Sequence, residues 1–101
     1  MNFEERKQKL IFDCYNSNGE LKSDFTKRFF IFLQDIIISL MQDNDEFFGQ
    51  FLLKIEKNID TSITVPIATN VKLNGFNMFI NPQLLLMFDE KEIKALLKHE
   101  V

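Results

Sequence analysis

Residues 88–101 read FDEKEIKALLKHEV, and this stretch decides how the fold is interpreted. Asp89 and Glu92 have the spacing of a capping box, in which each side chain reaches a backbone N–H that the first helical turn leaves unpaired. We therefore expect a helix that begins near Glu90. At about 100° per residue its two sides differ: the apolar side carries Ile93, Leu96 and Leu97, and the opposite side carries Lys91, Lys94 and Lys98.

The end of this helix brings the only histidine of the chain, His99, next to Glu100. Glu100 falls in the middle of the apolar side, where a carboxylate needs a partner or water, and His99 falls at its margin beside Ala95. His-Glu on a helix is also the first half of H-E-x-x-H, in which two histidines one turn apart bind zinc and the glutamate acts on a zinc-bound water. The sequence ends at Val101, before the place of the second histidine.

Length and composition predict one globular domain. The chain has 101 residues, 46% of them hydrophobic, with twelve Phe and no Trp, which suffices for a core of bulky, flat side chains. A net charge of -3 gives no basic field that would attract nucleic acid or an acidic membrane surface, so neither is an expected partner. The single cysteine, Cys14, is interpreted as a small buried hydrophobe.

No targeting or membrane segment is predicted. Residues 1–7 are charged and no apolar region follows them, so we expect no signal peptide and a cytoplasmic location. The most apolar run, residues 29–41, is interrupted by Gln34 and Asp35 and is shorter than the roughly 20 apolar residues that cross a bilayer. We interpret it as part of a core helix.

Three helices are predicted before the chain changes character. The first covers residues 3–15 and is followed by turn chemistry, NSNG, in residues 16–19. The second begins at Ser23 or Asp24, either of which can cap it, and runs to about Gln42.

The second helix carries two apolar stripes and should be covered on most sides. One stripe is Phe25, Phe29, Phe32, Ile36 and Leu40, and the other is Phe30, Leu33, Ile37 and Met41. Asp43 and Glu46 then repeat the capping-box spacing, which predicts a third helix from Asp45 to about Asn58.

From Ile59 onward β-branched residues alternate with polar ones. This period of two predicts a strand over residues 59–65, which Pro66 ends. Residues 70–75 are expected to form a loop or hairpin turn, Phe76–Ile80 a second strand, and Gln83–Met87 about one helical turn. A lone hairpin is marginal in water, so it should lie on the helices or pair with further strands.

The expected fold class is α+β, with one domain over residues 1–101. Three helices occupy residues 1–58, and a short two-stranded β element and the motif helix occupy residues 59–101.

Three segments together resemble a known family: PIATN in residues 66–70, FINP in residues 79–82 and ALLKHEV in residues 95–101. The family is the zinc metallopeptidase-like domain that precedes a von Willebrand factor A-like domain in bacterial proteins. Its members show a P-T-A-A-T-D-G-like segment, a strand ending in N-P, and L-L-x-H-E-V running into a second histidine. The match covers about residues 47–101, but Asn70 replaces the usual Asp and the glycine comes later, at Gly75.

The resemblance implies that His99 is the first zinc ligand and Glu100 the general base of a metallopeptidase. It implies zinc as the cofactor of the full-length domain and a peptide or protein as its substrate. We expect residues 1–101 to be an N-terminal fragment cut inside the motif, inactive and without zinc by itself. Self-association through the face that the missing part would cover is possible in such a fragment.

Two further hypotheses belong to this interpretation. Phe76–Ile80 is a candidate edge strand along which an extended peptide substrate could lie, although a strand that only covers the core is the interpretation we favour. The alternative function is a non-catalytic helical module for protein interactions, in which the His-Glu pair has no chemical role.

Overall fold

The computed structural model describes residues 2–15, 23–43, 46–72 and 75–100. Within them the chain forms five helices and a three-stranded sheet, so the predicted α+β class is confirmed. The elements in chain order are α1 (Phe3–Tyr15), α2 (Ser23–Gln42), α3 (Glu46–Lys54), β1 (Glu56–Ile59), β2 (Ile67–Lys72), β3 (Gly75–Ile80), α4 (Pro82–Leu85) and α5 (Glu90–Glu100).

Helix α2 is the centre of the hydrophobic core, as its two apolar stripes predict. All five residues of the first stripe are buried, and so are Leu33 and Ile37 of the second, while Phe30 and Met41 are partly covered. Helices α1, α3 and α5 all contact it. A helix that is apolar on most sides is stable only when neighbours cover it, which is why α2 organises the fold.

Helix α1 lies against α2 through both apolar and charged contacts. The Phe3 and Phe32 rings lie 5.1 Å apart between centroids, and Cys14 is buried, as predicted. Arg6 forms an ion pair with Asp35 on α2 at 2.7 Å. The predicted turn at residues 16–19, between these helices, lies outside the described residues.

Helix α3 ends earlier than predicted, at Lys54 instead of Asn58. Residues 56–58, which the predicted helix includes, instead belong to strand β1, and β1 pairs in parallel with β3. Gly49 sits where α3 meets α2, and a Cβ there would collide with the Met41 side chain, so the two helices can approach closely only with glycine at this position. The predicted start at Asp45 lies outside the described residues.

The sheet has the order β1-β3-β2, with β1 parallel and β2 antiparallel to β3. The predicted strand over residues 59–65 is therefore wrong, because the strand ends at Ile59 and a turn follows. In that turn the Asp60 carboxylate accepts hydrogen bonds from the backbone and hydroxyl of Ser62, and Val65 is exposed. Local side-chain bonds of this kind hold the backbone in a turn despite β-branched neighbours.

Strand β2 was not predicted, and its last three residues, 70–72, fall in the segment expected to be a loop or hairpin turn. Asn70 pairs with Asn77 of β3, and the pairing continues to Lys72 opposite Gly75. Gly75 has φ of 117°, a conformation that glycine adopts without strain. The tip of this hairpin, residues 73–74, lies outside the described residues.

Strand β3 is the central strand, since β1 and β2 pair with its two edges. The hypothesis that Phe76–Ile80 offers an edge to an extended peptide is therefore wrong. Its buried apolar residues, Met78 and Ile80, instead belong to the core. Among the described helices none is long and apolar enough to cross a membrane.

Candidate functional site

Helix α5 begins with the predicted capping box. The Glu92 backbone N–H donates to Asp89 Oδ1 at 2.8 Å, and the Asp89 N–H donates to Glu92 Oε1 at 3.1 Å. These two bonds satisfy backbone donors that a first helical turn leaves unpaired. They also set the start of the helix at Glu90, as the sequence predicts.

The apolar side of α5 holds the helix against β2 and α2. Ile93 and Leu97 are both 0% exposed, and Leu96 packs at the margin of the core. On another side, Lys94 Nζ donates to Ser39 Oγ at 2.9 Å and forms an ion pair with Asp43 Oδ2 at 2.8 Å. Lys94 is thus a contact between helices and not a free surface lysine.

The segments before α5 are fixed by two buried polar side chains. Asn81 caps α4 through its Oδ1, which accepts from the Gln83 N–H at 3.1 Å, and its Nδ2 donates to the Ile63 carbonyl at 3.0 Å. Lys7 on α1 donates to the Phe88 carbonyl at 3.2 Å. The loop after β1, helix α4 and the start of α5 are therefore tied to the body of the protein.

The two predicted site residues lie in the last turn of α5. His99 and Ala95, which the sequence places together at the margin of the apolar side, are both exposed. Glu100 is the last residue of the helix, but its side chain lies outside the described part, so its predicted place on the apolar side stays a prediction.

The described residues do not form a zinc site. Among them no three His, Cys, Asp or Glu side chains lie together in a way that could hold a metal ion. A catalytic zinc keeps three protein ligands, and His99 is the single predicted metal ligand on the described surface. The arrangement offers one accessible imidazole on a rigidly anchored helix.

Cys14 has the environment of a structural thiol. It is buried between α1 and α4, and burial raises the pKa of its thiol, with a smaller opposing effect from a hydrogen bond with Gln83. A raised pKa leaves less of the nucleophilic thiolate, so this cysteine is poorly suited to catalysis.

A cleft of about 650 Å³ lies on one face of the sheet and was not predicted. Glu56 and Asn58 of β1 stand in register with Asn77 and Phe79 of β3 and form part of its lining. The Phe76 ring adds a wall and meets Phe51 edge-on, with 5.8 Å between centroids. The cleft combines aromatic surface with amide and carboxylate groups.

A smaller hollow of about 270 Å³ opens beside β1, between α2 and α3. It is lined by Phe30, Gln34, Ile37, Leu53 and Lys57. Only Gln34 and Lys57 among these have polar side chains. Sequence reasoning missed both cavities because it placed residues 56–58 in a helix, which hid the alternation of Glu56 and Asn58 on one face with Lys57 on the other.

No family model, curated protein or solved structure matches the chain. The resemblance to the zinc metallopeptidase-like domain accordingly stays a prediction from the residues that carry it.

Proposed function

We propose that residues 47–101 belong to a zinc-dependent metallopeptidase-like domain, in which His99 is a zinc ligand and Glu100 the general base. The observation that carries the proposal is the position of the His-Glu pair in the last turn of a capped and anchored helix. Ile93 and Leu97 fix the helix from one side, while His99 is exposed. A metal ligand has to be held by a rigid element and yet be reachable, and α5 meets both conditions.

We infer that an extended peptide substrate of the proposed enzyme would lie on a different strand from the one predicted. A peptide can add only to an outer strand, and within the described sheet the outer strands are β1 and β2. Helix α5 contacts β2. In the proposed enzyme, β2 is therefore the strand along which a substrate would approach His99.

The test uses a polypeptide that contains residues 1–101 and any residues that the gene encodes after them. The proposal requires a histidine four residues after His99 in that sequence, to complete H-E-x-x-H. Metal analysis after dialysis should find about one zinc per chain. His99→Ala should abolish zinc retention, and Glu100→Gln should retain zinc and lose hydrolysis of an unfolded protein substrate.

A matched control is Lys91→Gln, which changes an exposed residue elsewhere on α5. It should leave both zinc content and hydrolysis unchanged. If the sequence lacks the second histidine, or if His99→Ala retains zinc as well as the parent protein, the metallopeptidase proposal is wrong.

A second candidate function is a protein-interaction module, and one observation favours it. Phe47 in the first turn of α3 is 87% exposed, more than the other exposed large hydrophobic side chains of the described residues. A second copy of the chain is the partner we consider. Sedimentation at increasing concentration should then show association that Phe47→Ser removes and Lys54→Ser, on the same helix, does not; a monomer at all concentrations would exclude this function.

A further inference from the structure

Lys57 differs from the other partly covered cations of the described structure. Arg6, Lys7, Arg28 and Lys94 each have a carboxylate within 4.0 Å. Lys57 is also partly covered, but its Nζ donates only to the Ile55 carbonyl, at 3.0 Å, and no carboxylate of the described residues lies within ion-pair distance. A half-buried ammonium without an anion is electrostatically incomplete.

The position of Lys57 on the sheet explains why it is partly buried. Lys57 is in register with the buried Met78 on β3. Its side chain is therefore on the face of the sheet that packs against the helices. Burial lowers the pKa of its ammonium, and no neighbouring charge contributes to the shift. The protonated side chain carries a charge that no carboxylate of the described residues balances.

The space next to Lys57 is the hollow beside β1, of about 270 Å³. Phe30, Ile37 and Leu53 give it apolar walls, and the Gln34 amide is a further hydrogen-bond donor. An inorganic anion would bind the ammonium but leave these apolar side chains exposed to water. A molecule with an anionic head and an apolar tail would satisfy the ammonium and cover the walls at the same time.

We propose that the hollow between α2, α3 and β1 binds a small monocarboxylic acid with a short apolar tail, with the carboxylate on Lys57 and the tail against Phe30, Ile37 and Leu53. A single negative charge matches the single ammonium, whereas a phosphate would bring more charge than the hollow balances. The volume lies just below the roughly 300–1,000 Å³ of pockets for drug-sized ligands, so the tail is short. The site shares no residue with the His99 and Glu100 pair.

The test is a titration of the 101-residue chain with sodium hexanoate, followed by two-dimensional NMR of the backbone amides. Acetate has the same head without the tail, and 1-hexanol has the same tail without the charge. Because a hydrogen bond to a charged group and the burial of the tail each contribute to affinity, hexanoate should bind at least about tenfold more tightly than either. Shifts should concentrate in α2, α3 and β1.

Two variants locate the charge. Lys57→Met removes the ammonium but supplies a side chain of similar length, and it should weaken hexanoate binding by about tenfold or more. Lys27→Met, which removes an exposed lysine from α2, should change it by less than about twofold. The proposal is overturned if hexanoate shows no saturable binding at about 10 mM, if 1-hexanol binds equally well, or if Lys57→Met binds as the parent does.

A third variant keeps the proposal testable if Lys57→Met alters the fold. Leu53→Glu replaces a residue that is 37% exposed, so the carboxylate can reach both Lys57 and water. It should occupy the ammonium from within the chain and abolish hexanoate binding, while Leu53→Gln retains it. If Leu53→Glu and Leu53→Gln bind hexanoate equally well, Lys57 does not bind the carboxylate of the ligand.

Discussion

Lys94 on α5 and Lys57 on β1 are both partly covered, and their ammonium groups lie in different environments. Lys94 meets Asp43 and Ser39 on or next to α2, with Glu90 at 3.8 Å on its own helix. Lys57 meets one backbone carbonyl beside a hollow. Lys94 therefore has carboxylate partners, whereas Lys57 has none among the described residues and lies beside a hollow.

The difference reflects how the two elements are attached. Helix α5 has a cap at its start, two fully buried residues, Ile93 and Leu97, on its apolar side, and an ion pair on a further side. Strand β1 pairs with β3 alone, and its other neighbours leave a gap between α2 and α3. The contacts of α5 stabilise the fold. The gap beside β1 leaves the Lys57 ammonium and apolar side chains that a small molecule could contact.

The strongest test of the α5 attachment is Leu97→Ala. The side chain is 0% exposed, so its truncation removes apolar contacts and leaves a cavity. We expect a loss of about 2–5 kcal/mol in the free energy of unfolding, measured with urea. Met87→Ala, at a residue that is 70% exposed, should change it by about 0.5 kcal/mol or less. Equal losses would show that α5 is not anchored as described.

Asn81→Ala tests the connection between the two sides. Asn81 caps α4 and holds the loop that follows β1 through the Ile63 carbonyl. Loss of the cap and of this bond should lower the unfolding free energy by about 1–2 kcal/mol. Asn70→Ala, at an exposed position of β2, serves as the control and should cost less than about 0.5 kcal/mol. A neutral Asn81→Ala would mean that the loop is held by other contacts.

Asp89→Ala removes the side chain that caps α5. The Glu92 N–H would lose its acceptor, which should lower the unfolding free energy by about 1 kcal/mol. Amide hydrogen exchange should accelerate in the first turn of α5 more than in α2. Lys91→Ala, without a role in the cap, should leave the exchange of that first turn unchanged.

The comparison of the two lysines predicts effects of opposite sign. Lys94→Met breaks a partly exposed ion pair and should lower the unfolding free energy by about 0.5 kcal/mol. Lys57→Met removes a half-buried charge without an anion and should raise it by about 0.5 kcal/mol. Urea unfolding of both variants beside the parent measures the difference, and a loss of stability in Lys57→Met would contradict it.

The gain in unfolding free energy from Lys57→Met should also depend on pH. Burial lowers the pKa of Lys57 from the ordinary 10.5, so the folded chain binds the proton less tightly than the unfolded chain does. Its destabilising effect is complete below the folded-state pKa and disappears as pH rises toward 10.5. The stability advantage of Lys57→Met should therefore shrink between about pH 7 and about pH 10, while Lys27→Met shows no such trend.

The helices were predictable because their signals are local. The Asp89–Glu92 cap, the turn of Ile93 and Leu97 toward the core and the stripes of α2 all follow from the spacing of neighbouring residues. The strands were less predictable, since β1 exists through parallel pairing with a segment about 20 residues away in sequence. Propensity favoured a strand after Ile59, but Asp60 and Asn81 hold that segment as a turn.

The candidate sites divide in the same way. His99 and Glu100 were found from a motif within one helical turn, and the structure adds that His99 is exposed. Lys57 could not be found, because its significance depends on residues of α2 and α3 that the fold brings beside β1. A single lysine in a predicted helix carries no signal of burial or of a missing anion.

The sequence by itself determined the α+β class, the core helix α2 and the start of the helix that carries the His-Glu pair. These follow from caps and apolar periodicity, which act between residues a turn apart. Only the tertiary structure decided the strand order, which makes β3 central and β1 and β2 the outer strands. It also decided that Lys94 has carboxylate partners and that Lys57 has none among the described residues, because strand pairing and side-chain burial depend on contacts between segments distant in sequence.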